Sequence, residues 1–288
     1  MHPTSGTPDP TPGRGHRTGP FLKWAGGKGQ LLPDIVPRLP VEIPGRYVEP
    51  FVGGGAVFFE LARLGRVRRA LLCDRNADLI ATYQAVRDDV ESVITALAEH
   101  VNDEQHYYAV RALDPAALPP AVAAARTIFL NRVGYNGLYR VNASGKFNVP
   151  FGRYKNPRIC DADGLRAASK TLALAEPRVA DFDAACADVG PGDVVYFDPP
   201  YLPLSRTASF TAYGPDHFGE DEHRRLAKTF GSCVDRGAYV LLSNSDVPFA
   251  RELFAGFQLV VVEATRAINS KADRRGPIHE ILVQGIRC

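Results

Sequence analysis

Short apolar runs alternate with amphipathic stretches of helical period from Phe21 onward. The repeated order of apolar run, Gly-rich turn and helical stretch favours a doubly wound, mostly parallel sheet. The pattern therefore predicts an α/β protein. The predicted buried strands are Tyr47 to Phe51, Ala70 to Asp74, Val179 to Phe182, Val194 to Asp198, Tyr239 to Ser243, Leu259 to Glu263 and Ile281 to Gln284.

A long interval separates the second predicted strand from the third. Its length of about a hundred residues is too great for a simple crossover connection, so we predict an inserted domain. Residues 77–132 have the pattern of helices, whereas residues 134–157 are rich in Gly, Asn and aromatic residues, which favours a hairpin. We predict a discontinuous α/β domain of residues 21–76 and 161–288, with residues 77–160 inserted as a second domain.

The N-terminal residues, the length of the apolar runs and the cysteines exclude several classes of protein. Residues 1–20 hold almost no large apolar side chains, so we predict a disordered tail there. No apolar run approaches the roughly 18 residues that span a bilayer, and a signal peptide is not apparent. Five cysteines without a C-x-x-C pair argue against both a disulfide framework and a zinc ribbon. We therefore expect a soluble, cytoplasmic protein with no metal site.

Charge is balanced overall but not locally. The chain has 34 basic and 32 acidic residues, so its net charge of +2 does not by itself indicate a polyanionic partner. Residues 115–160, however, contain no acidic residue, and aromatic residues are interleaved with their basic ones. This is the local pattern of a nucleic-acid surface, although a solvated basic face would look the same. The basic residues are Arg126, Arg132, Arg140, Lys146, Arg153, Lys155 and Arg158.

Two motifs point to a nucleoside-containing cofactor. The first strand runs through Glu49-Pro50-Phe51-Val52 into three consecutive glycines at 53–55, where backbone can approach a ligand at a helix N-terminus. Asp74 ends the next strand, where a carboxylate can accept hydrogen bonds from ribose hydroxyls. A dinucleotide fingerprint is incomplete because Phe58 occupies the position of its third glycine. A structural tight turn is the alternative.

A third motif, near the N-terminus, is Lys23-Trp24-Ala25-Gly26-Gly27-Lys28. Its spacing does not match a phosphate-binding loop, which disfavours nucleoside triphosphate chemistry. From the residues alone, the single tryptophan at position 24 is either a packing residue or a partner for an adenine ring.

Asp198-Pro199-Pro200-Tyr201 directly follows an apolar strand, at the end where open α/β sheets place their ligands. Asp198 and the Pro199 carbonyl can both accept hydrogens from one exocyclic NH₂ group. Two such acceptors favour a tetrahedral nitrogen whose lone pair is free to react. Tyr201 adds an aromatic face on which an extruded base can stack. The alternative is a proline turn that merely ends a strand.

Together, these motifs closely resemble those of the Dam-type DNA adenine N6-methyltransferases, the D12 class, and they occur in the same order. The resemblance covers nearly all of residues 21–284 and includes Asn76, the stretch Asn131 to Pro157, and Phe210 to Tyr213. It implies a Rossmann-like S-adenosylmethionine-dependent methyltransferase fold with an inserted helical and hairpin DNA-recognition domain. The cofactor residues it implies are Trp24, Lys28, Gly53, Gly55, Asp74 and Asp198, and the catalytic residues are Asp198, Pro199, Pro200 and Tyr201.

The predicted hairpin carries side chains suited to reading bases. If residues 136–141 are extended, Asn136, Leu138 and Arg140 share one face. Arginine suits guanine, and an apolar group suits a thymine methyl, so the residues alone support a site that contains G. The resemblance implies double-stranded DNA as the partner, GATC as the target, and contacts from Lys23, Tyr135, Asn136, Leu138, Arg140 and Pro150.

Three alternatives stay open at this stage. Cytosine-N4 methylation would use the same acceptor geometry, whereas a non-catalytic DNA-binding protein would not need it. An NAD-dependent oxidoreductase is disfavoured by the missing third glycine. A basic loop with Arg266, Lys271, Arg274 and Arg275 is either a phosphate contact or solvated. If the protein is a methyltransferase, we expect it to act at the nucleoid. Its adenine methylation would be linked to replication or to restriction and modification, and we expect no obligatory protein partner.

Overall fold

The computed structural model describes residues 19–24, 27–142, 145–202, 218–265 and 277–287. Most of the predicted tail, the stretch Phe210 to Tyr213 and the predicted basic loop at 266–275 lie outside these ranges. Across the described part of the chain, no helix is long and apolar enough to cross a membrane.

A seven-stranded sheet forms the centre of the fold, with the strand order β3-β2-β1-β4-β5-β7-β6. The strands from β3 to β5 are parallel, whereas β7 is antiparallel to both of its neighbours. This doubly wound arrangement confirms the predicted Rossmann-like class. The strands are β1 Tyr47–Glu49, β2 Ala70–Asp74, β3 Ala175–Val179, β4 Val194–Phe197, β5 Tyr239–Ser245, β6 Phe257–Thr265 and β7 Pro277–Arg287.

Six of the predicted strands are confirmed, but the prediction of a strand from Val179 to Phe182 is wrong. The strand there is β3, which ends at Val179, and Phe182 begins a short helix instead. Because β3 is an edge strand, it carries exposed polar residues and Pro177 rather than an apolar run. The side chain of Asp181 accepts a hydrogen bond from the Asp183 backbone and so starts the helix.

Helices cover both faces of the sheet. Several begin at a side-chain cap: Asn76 caps α3, Asp89 caps α4 and Asp103 caps α5. The helices are α1 Leu32–Ile35, α2 Ala56–Arg63, α3 Ala77–Asp88, α4 Val90–Ala98, α5 Glu104–Ala112, α6 Pro120–Val133, α7 Ala162–Leu172, α8 Phe182–Ala185, α9 Glu220–Asp235 and α10 Pro248–Leu253.

Alternate residues of the central strands enter two separate cores. Tyr47 and Tyr196 face the core beneath α1–α7, while Val48 and Val195 face the core beneath α8–α10. Helices α3–α6, which lie within the predicted insertion, belong to the first of these cores. The inserted segment therefore packs directly on the sheet. Its irregular part, residues 134–157, is drawn together by antiparallel bridges from Gly134 to Phe151 and from Val141 to Phe147.

Candidate active site

The Gly-rich turn follows β1 and is held in place by neighbouring elements. Gly53 and Gly55 have φ angles of 47° and 67°, a region that favours glycine. The Gly53 backbone N–H donates to Asp74 Oδ2 over 3.2 Å, and the hydroxyl of Tyr83 donates to the Gly53 carbonyl over 3.0 Å. Asp74 Oδ1 also accepts from the Asn76 backbone, so β2 and α3 together fix the shape of the turn.

Trp24 lies directly over this turn. A Cβ atom added to Gly53 would be 2.8 Å from Cδ1 of the indole, so no larger residue fits beneath it. The indole also stacks on Tyr139, with ring centroids 5.4 Å apart and an interplanar angle of 24°. Tyr139 in turn donates its hydroxyl hydrogen to Asp78 Oδ2 over 3.1 Å. The tryptophan therefore joins the Gly-rich turn to the irregular segment.

Asp198 follows β4, and β4 pairs with β1, so the Asp-Pro-Pro-Tyr turn lies beside the Gly-rich turn. Lys28 Nζ lies 2.8 Å from Asp198 Oδ1. The Ser243 hydroxyl, from β5, donates to the same oxygen over 2.9 Å. Burial raises the pKa of Asp198, and the contacts with Lys28 and Ser243 oppose that shift. Lys28, which the family resemblance implied as a cofactor residue, thus directly contacts the predicted catalytic carboxylate.

Tyr201 is held from two sides. The ammonium of Lys28 lies 4.4 Å from the centroid of its ring, which is a cation–π contact. Its hydroxyl donates to Glu280 Oε2, on β7, over 2.6 Å. The next residue, Leu202, is bound at its backbone by Asn244 and Ser245 of β5. The turn is therefore fixed to the carboxyl end of the sheet at both of its ends.

A second buried carboxyl group lies close to Asp198. Glu49 is only 2% exposed and accepts a hydrogen bond from the Tyr47 hydroxyl over 2.9 Å. Burial is the main cause that raises the pKa of Glu49 to about 8, and the negative charge of Asp198 adds to it. Glu49 is therefore largely protonated at neutral pH. Sequence reasoning included it in a motif but assigned it no role, because burial of this kind depends on strand pairing.

Of the region that was predicted to bind DNA, Lys23 and the stretch 131–137 lie against each other. The Asn131 side chain accepts from the Lys23 backbone N–H over 2.7 Å and donates to the carbonyls of Lys23 and Gly137. The prediction of an extended chain from Asn136 onward is wrong at its start. Tyr135–Gly137 forms a 3₁₀ turn in which Asn136 has φ 55°. The Gly137 backbone N–H donates to the Gly134 carbonyl, and the Asn131 side chain donates to the Gly137 carbonyl, so these hydrogen bonds hold the chain in the turn.

Beyond this turn the chain runs antiparallel to residues 147–151. Arg140 Nε donates to Asn148 Oδ1 over 2.7 Å, and the two residues also pair through the backbone. Tyr135, Asn136, Arg140 and Pro150 are exposed, as is Lys23, while Leu138 is half-buried. These residues lie on neighbouring stretches of chain. They do not share one face through the side-chain alternation of a single strand, as the extended-chain prediction required.

Two further residues at the carboxyl edge of the sheet were missed by sequence reasoning. Phe182 follows β3 and stacks on Phe51, with ring centroids 5.5 Å apart. Arg225 lies 4.1 Å from the Phe182 ring and is paired with Asp181. Because the third strand was predicted at Val179 to Phe182, the sequence did not predict this stacking of Phe182 on Phe51. In the described ranges, no group of three or more His, Cys, Asp or Glu side chains could hold a metal ion.

Comparison with protein families identifies the family of this chain. The model of the D12 class N6 adenine-specific DNA methyltransferases matches residues 24–268. The chain belongs to this family. The match begins at Trp24 and includes both turns, the irregular segment and β1–β6. This D12-class enzyme is therefore a DNA adenine methyltransferase, and DNA is its substrate.

Relatives with curated names agree with the family assignment. The D12-class chain is 41% identical to the type II methyltransferase M1.LlaDCHI of Lactococcus lactis subsp. cremoris, over 92% of this chain and 94% of that one. It is 42% identical to the type II methyltransferase M.MjaIII of Methanocaldococcus jannaschii, over 92% and 98%. It is 39% identical to the DNA adenine methylase of Escherichia coli K12, over 91% and 93%.

Similarity to solved structures is much weaker. The rRNA methyltransferase AviRa of Streptomyces viridochromogenes covers 95% of this chain, and the chain covers 88% of it, with a TM-score of 0.33 and 14% sequence identity. A similarity at this level has no bearing on function.

Proposed function

We propose that this enzyme transfers a methyl group from S-adenosylmethionine to N6 of adenine in double-stranded DNA, at GATC sites. The observation that carries the proposal is the adjacency of two turns at neighbouring strand ends. The Gly-rich turn after β1 and the Asp198 turn after β4 lie side by side, and strand ends of this kind are where open α/β sheets bind ligands.

The residues at the first turn fit the cofactor. Each carboxylate oxygen of Asp74 already accepts one backbone hydrogen bond and has a lone pair left for a ribose hydroxyl. The absence of side chains at Gly53 and Gly55 lets Trp24 and Tyr83 approach the turn closely, and Trp24 offers an aromatic ring above it. When bound, S-adenosylmethionine supplies a methyl group on a positively charged sulfur, which an amine with an available lone pair accepts.

The second turn fits the target amine. Asp198 and the Pro199 carbonyl would each accept one hydrogen of the N6 amino group, which reduces the conjugation of its lone pair with the ring. Since burial raises the pKa of Asp198, its carboxylate is also suited to take the proton that N6 releases after methylation. Pro200 stiffens the turn, and Tyr201, held by Lys28 and Glu280, supplies a stacking surface for an extruded base.

DNA would lie across the exposed residues next to these turns. Arg140 suits the guanine of the site, Leu138 suits a thymine methyl, and Asn136 suits a base edge or the gap left by the extruded base. Lys23, Tyr135 and Pro150 lie beside them. GATC as the target rests on the family resemblance. We place this activity in the cytoplasm, at the nucleoid, where such DNA lies.

The test is methylation of an unmethylated plasmid with S-adenosylmethionine, followed by base-resolution modification sequencing. We expect N6-methyladenine at GATC and no product with Asp198→Ala, while DNA binding persists. Asp188→Ala is the matched control, because this exposed carboxylate precedes β4 at the opposite end of the strand. Methyl groups at another sequence would overturn the GATC assignment. N4-methylcytosine as the product, or full activity of Asp198→Ala, would overturn the chemistry.

A further inference from the structure

The two oxygens of the Asp198 carboxylate have different environments. Oδ1 receives hydrogen bonds from both Lys28 Nζ, at 2.8 Å, and Ser243 Oγ, at 2.9 Å. Both of the contacts described for this carboxylate are made at Oδ1. The side chain of Asp198 keeps 19% of its surface exposed. One oxygen is therefore held by the protein, and the other is left to accept a hydrogen bond from a ligand.

Ser243 is itself oriented by a second hydroxyl. Tyr196 OH lies 2.9 Å from Ser243 Oγ, and both residues are fully buried. Since the Ser243 hydrogen goes to Asp198, its oxygen accepts the hydrogen of Tyr196. Burial raises the pKa of Tyr196 well above its usual value, so this phenol stays protonated and remains a donor. The chain of hydrogen bonds runs in one direction, from Tyr196 through Ser243 to Asp198.

We propose that Ser243, supported by Tyr196, is a positioning residue that binds Asp198 Oδ1 and so presents Oδ2 to the target amine. Its location is favourable for this role, because it lies on β5, beside the strand that leads into the catalytic turn. The proposal rests on the proposed role of Asp198 and adds to it a specific orientation of the carboxylate.

The need for such a residue follows from the mobility of a carboxylate. Rotation of the Asp carboxyl group about its last bond has broad, shallow minima. A lysine ammonium attracts both oxygens as a compact charge and does not select between them. The directional hydrogen bond from Ser243 does select one. Catalytic geometry has to be held to within about 0.5 Å, so this selection bears directly on the rate.

The central experiment compares Ser243→Ala with Ser243→Thr and with Ser169→Ala. Ser169 is the matched control, because its hydroxyl is also a hydrogen-bond donor, to the backbone carbonyl of Arg87, but it lies on α7, away from the site. We expect kcat of Ser243→Ala to fall about 10-fold to 100-fold with KM for DNA unchanged, since misplacement of a catalytic group by about 1 Å costs up to that factor. Ser243→Thr keeps the hydroxyl and should recover most of kcat.

The pH profile of kcat separates positioning from a purely structural effect. The Ser243 hydrogen bond favours the ionised form of Asp198, so its loss raises the pKa of Asp198 and moves the acid limb of kcat to higher pH. The comparison is with wild type, in which all other neighbouring groups are the same. Those groups, which lie around Asp198 on the adjacent elements, are Lys28, Tyr47, Glu49, Tyr196, Tyr201 and Glu280.

Tyr196→Phe is the second variant, in case Ser243→Ala does not fold by circular dichroism. It removes the hydroxyl behind Ser243 and should shift the acid limb in the same direction by a smaller amount. If folded Ser243→Ala and Tyr196→Phe keep the wild-type kcat and acid limb while Asp198→Ala is inactive, the positioning role is wrong. If Asp198→Ala is itself active, the proposed function is what fails.

Discussion

Lys28 Nζ lies 2.8 Å from Asp198 Oδ1, although 170 positions separate the two residues along the chain. The side chain of Lys28 is only 8% exposed, and the same ammonium lies 4.4 Å from the Tyr201 ring. One buried cation therefore joins the N-terminal motif to the catalytic turn. Its charge partly offsets the cost of keeping Asp198 ionised in a buried site.

Removal of this cation should change both stability and pH dependence. In Lys28→Met, Asp198 loses its largest pKa-lowering partner, so its pKa rises further. As the pH falls, Lys28→Met should therefore lose activity at a higher pH than wild type does, and the acid limb of kcat measures this shift. Unfolding at pH 8 should become easier by about 1–3 kcal/mol, less than for a fully buried pair because Asp198 is partly exposed. Lys28→Arg should retain most of the stability, and an unmoved acid limb in Lys28→Met would contradict this account.

Glu49 should make the protein less stable as the pH rises. Its pKa is raised from 4.5 to about 8 in the folded state, so the folded protein binds the proton more tightly than the unfolded chain. The resulting stability is fully present below about pH 4.5 and is lost as the pH passes through 8. Glu49→Gln should remove this pH dependence, which amounts to roughly 5 kcal/mol over the whole interval. Denaturant unfolding at pH 5.5 and 8.5 tests it, and equal slopes in the two proteins would argue against a buried, neutral Glu49.

Trp24 provides a direct signal for cofactor binding. It is the single tryptophan of the chain and lies over Gly53, so its emission should change when S-adenosylmethionine binds beside the turn. Asp74→Ala should weaken that response, because the ribose would lose its acceptor. Titration with NAD serves as the control and should produce no saturable change. A saturable response to NAD, or none to S-adenosylmethionine, would count against the proposed cofactor.

Arg140 and Lys155 should affect DNA recognition in different ways. Arg140→Ala should cost about 1–3 kcal/mol against the cognate guanine and relax discrimination there, if the guanidinium pairs bidentately. Lys155 is exposed in the same acid-free segment, and Lys155→Ala should weaken binding to all sequences alike and reduce the salt dependence. Methylation rates on GATC and on single-base variants, measured at two salt concentrations, distinguish these effects. Equal losses on every sequence for Arg140→Ala would refute base reading.

Much of the fold could be predicted because the central strands are buried on both faces. Val194–Phe197 is a continuous apolar run of the kind that a parallel sheet requires, and it was placed correctly. The edge strand Ala175–Val179 was misplaced, because an exposed edge has no such requirement and carries charges instead. The turn at Asn136 was missed for a related reason. Its left-handed backbone is stabilised by contacts from α6, which local sequence does not show.

By itself, the sequence determined the fold class, the order of the motifs and the residue types at the two turns, since these depend on local pattern and spacing. Only the tertiary structure decided which groups meet. It brought Lys28 and Ser243 to one oxygen of Asp198, placed Tyr201 against Glu280 and buried Glu49 beside them. The physical reason is that pairing of distant strands sets these distances and the local dielectric. Hydrogen bonds and pKa values depend on both, and neither is encoded in any short stretch of the chain.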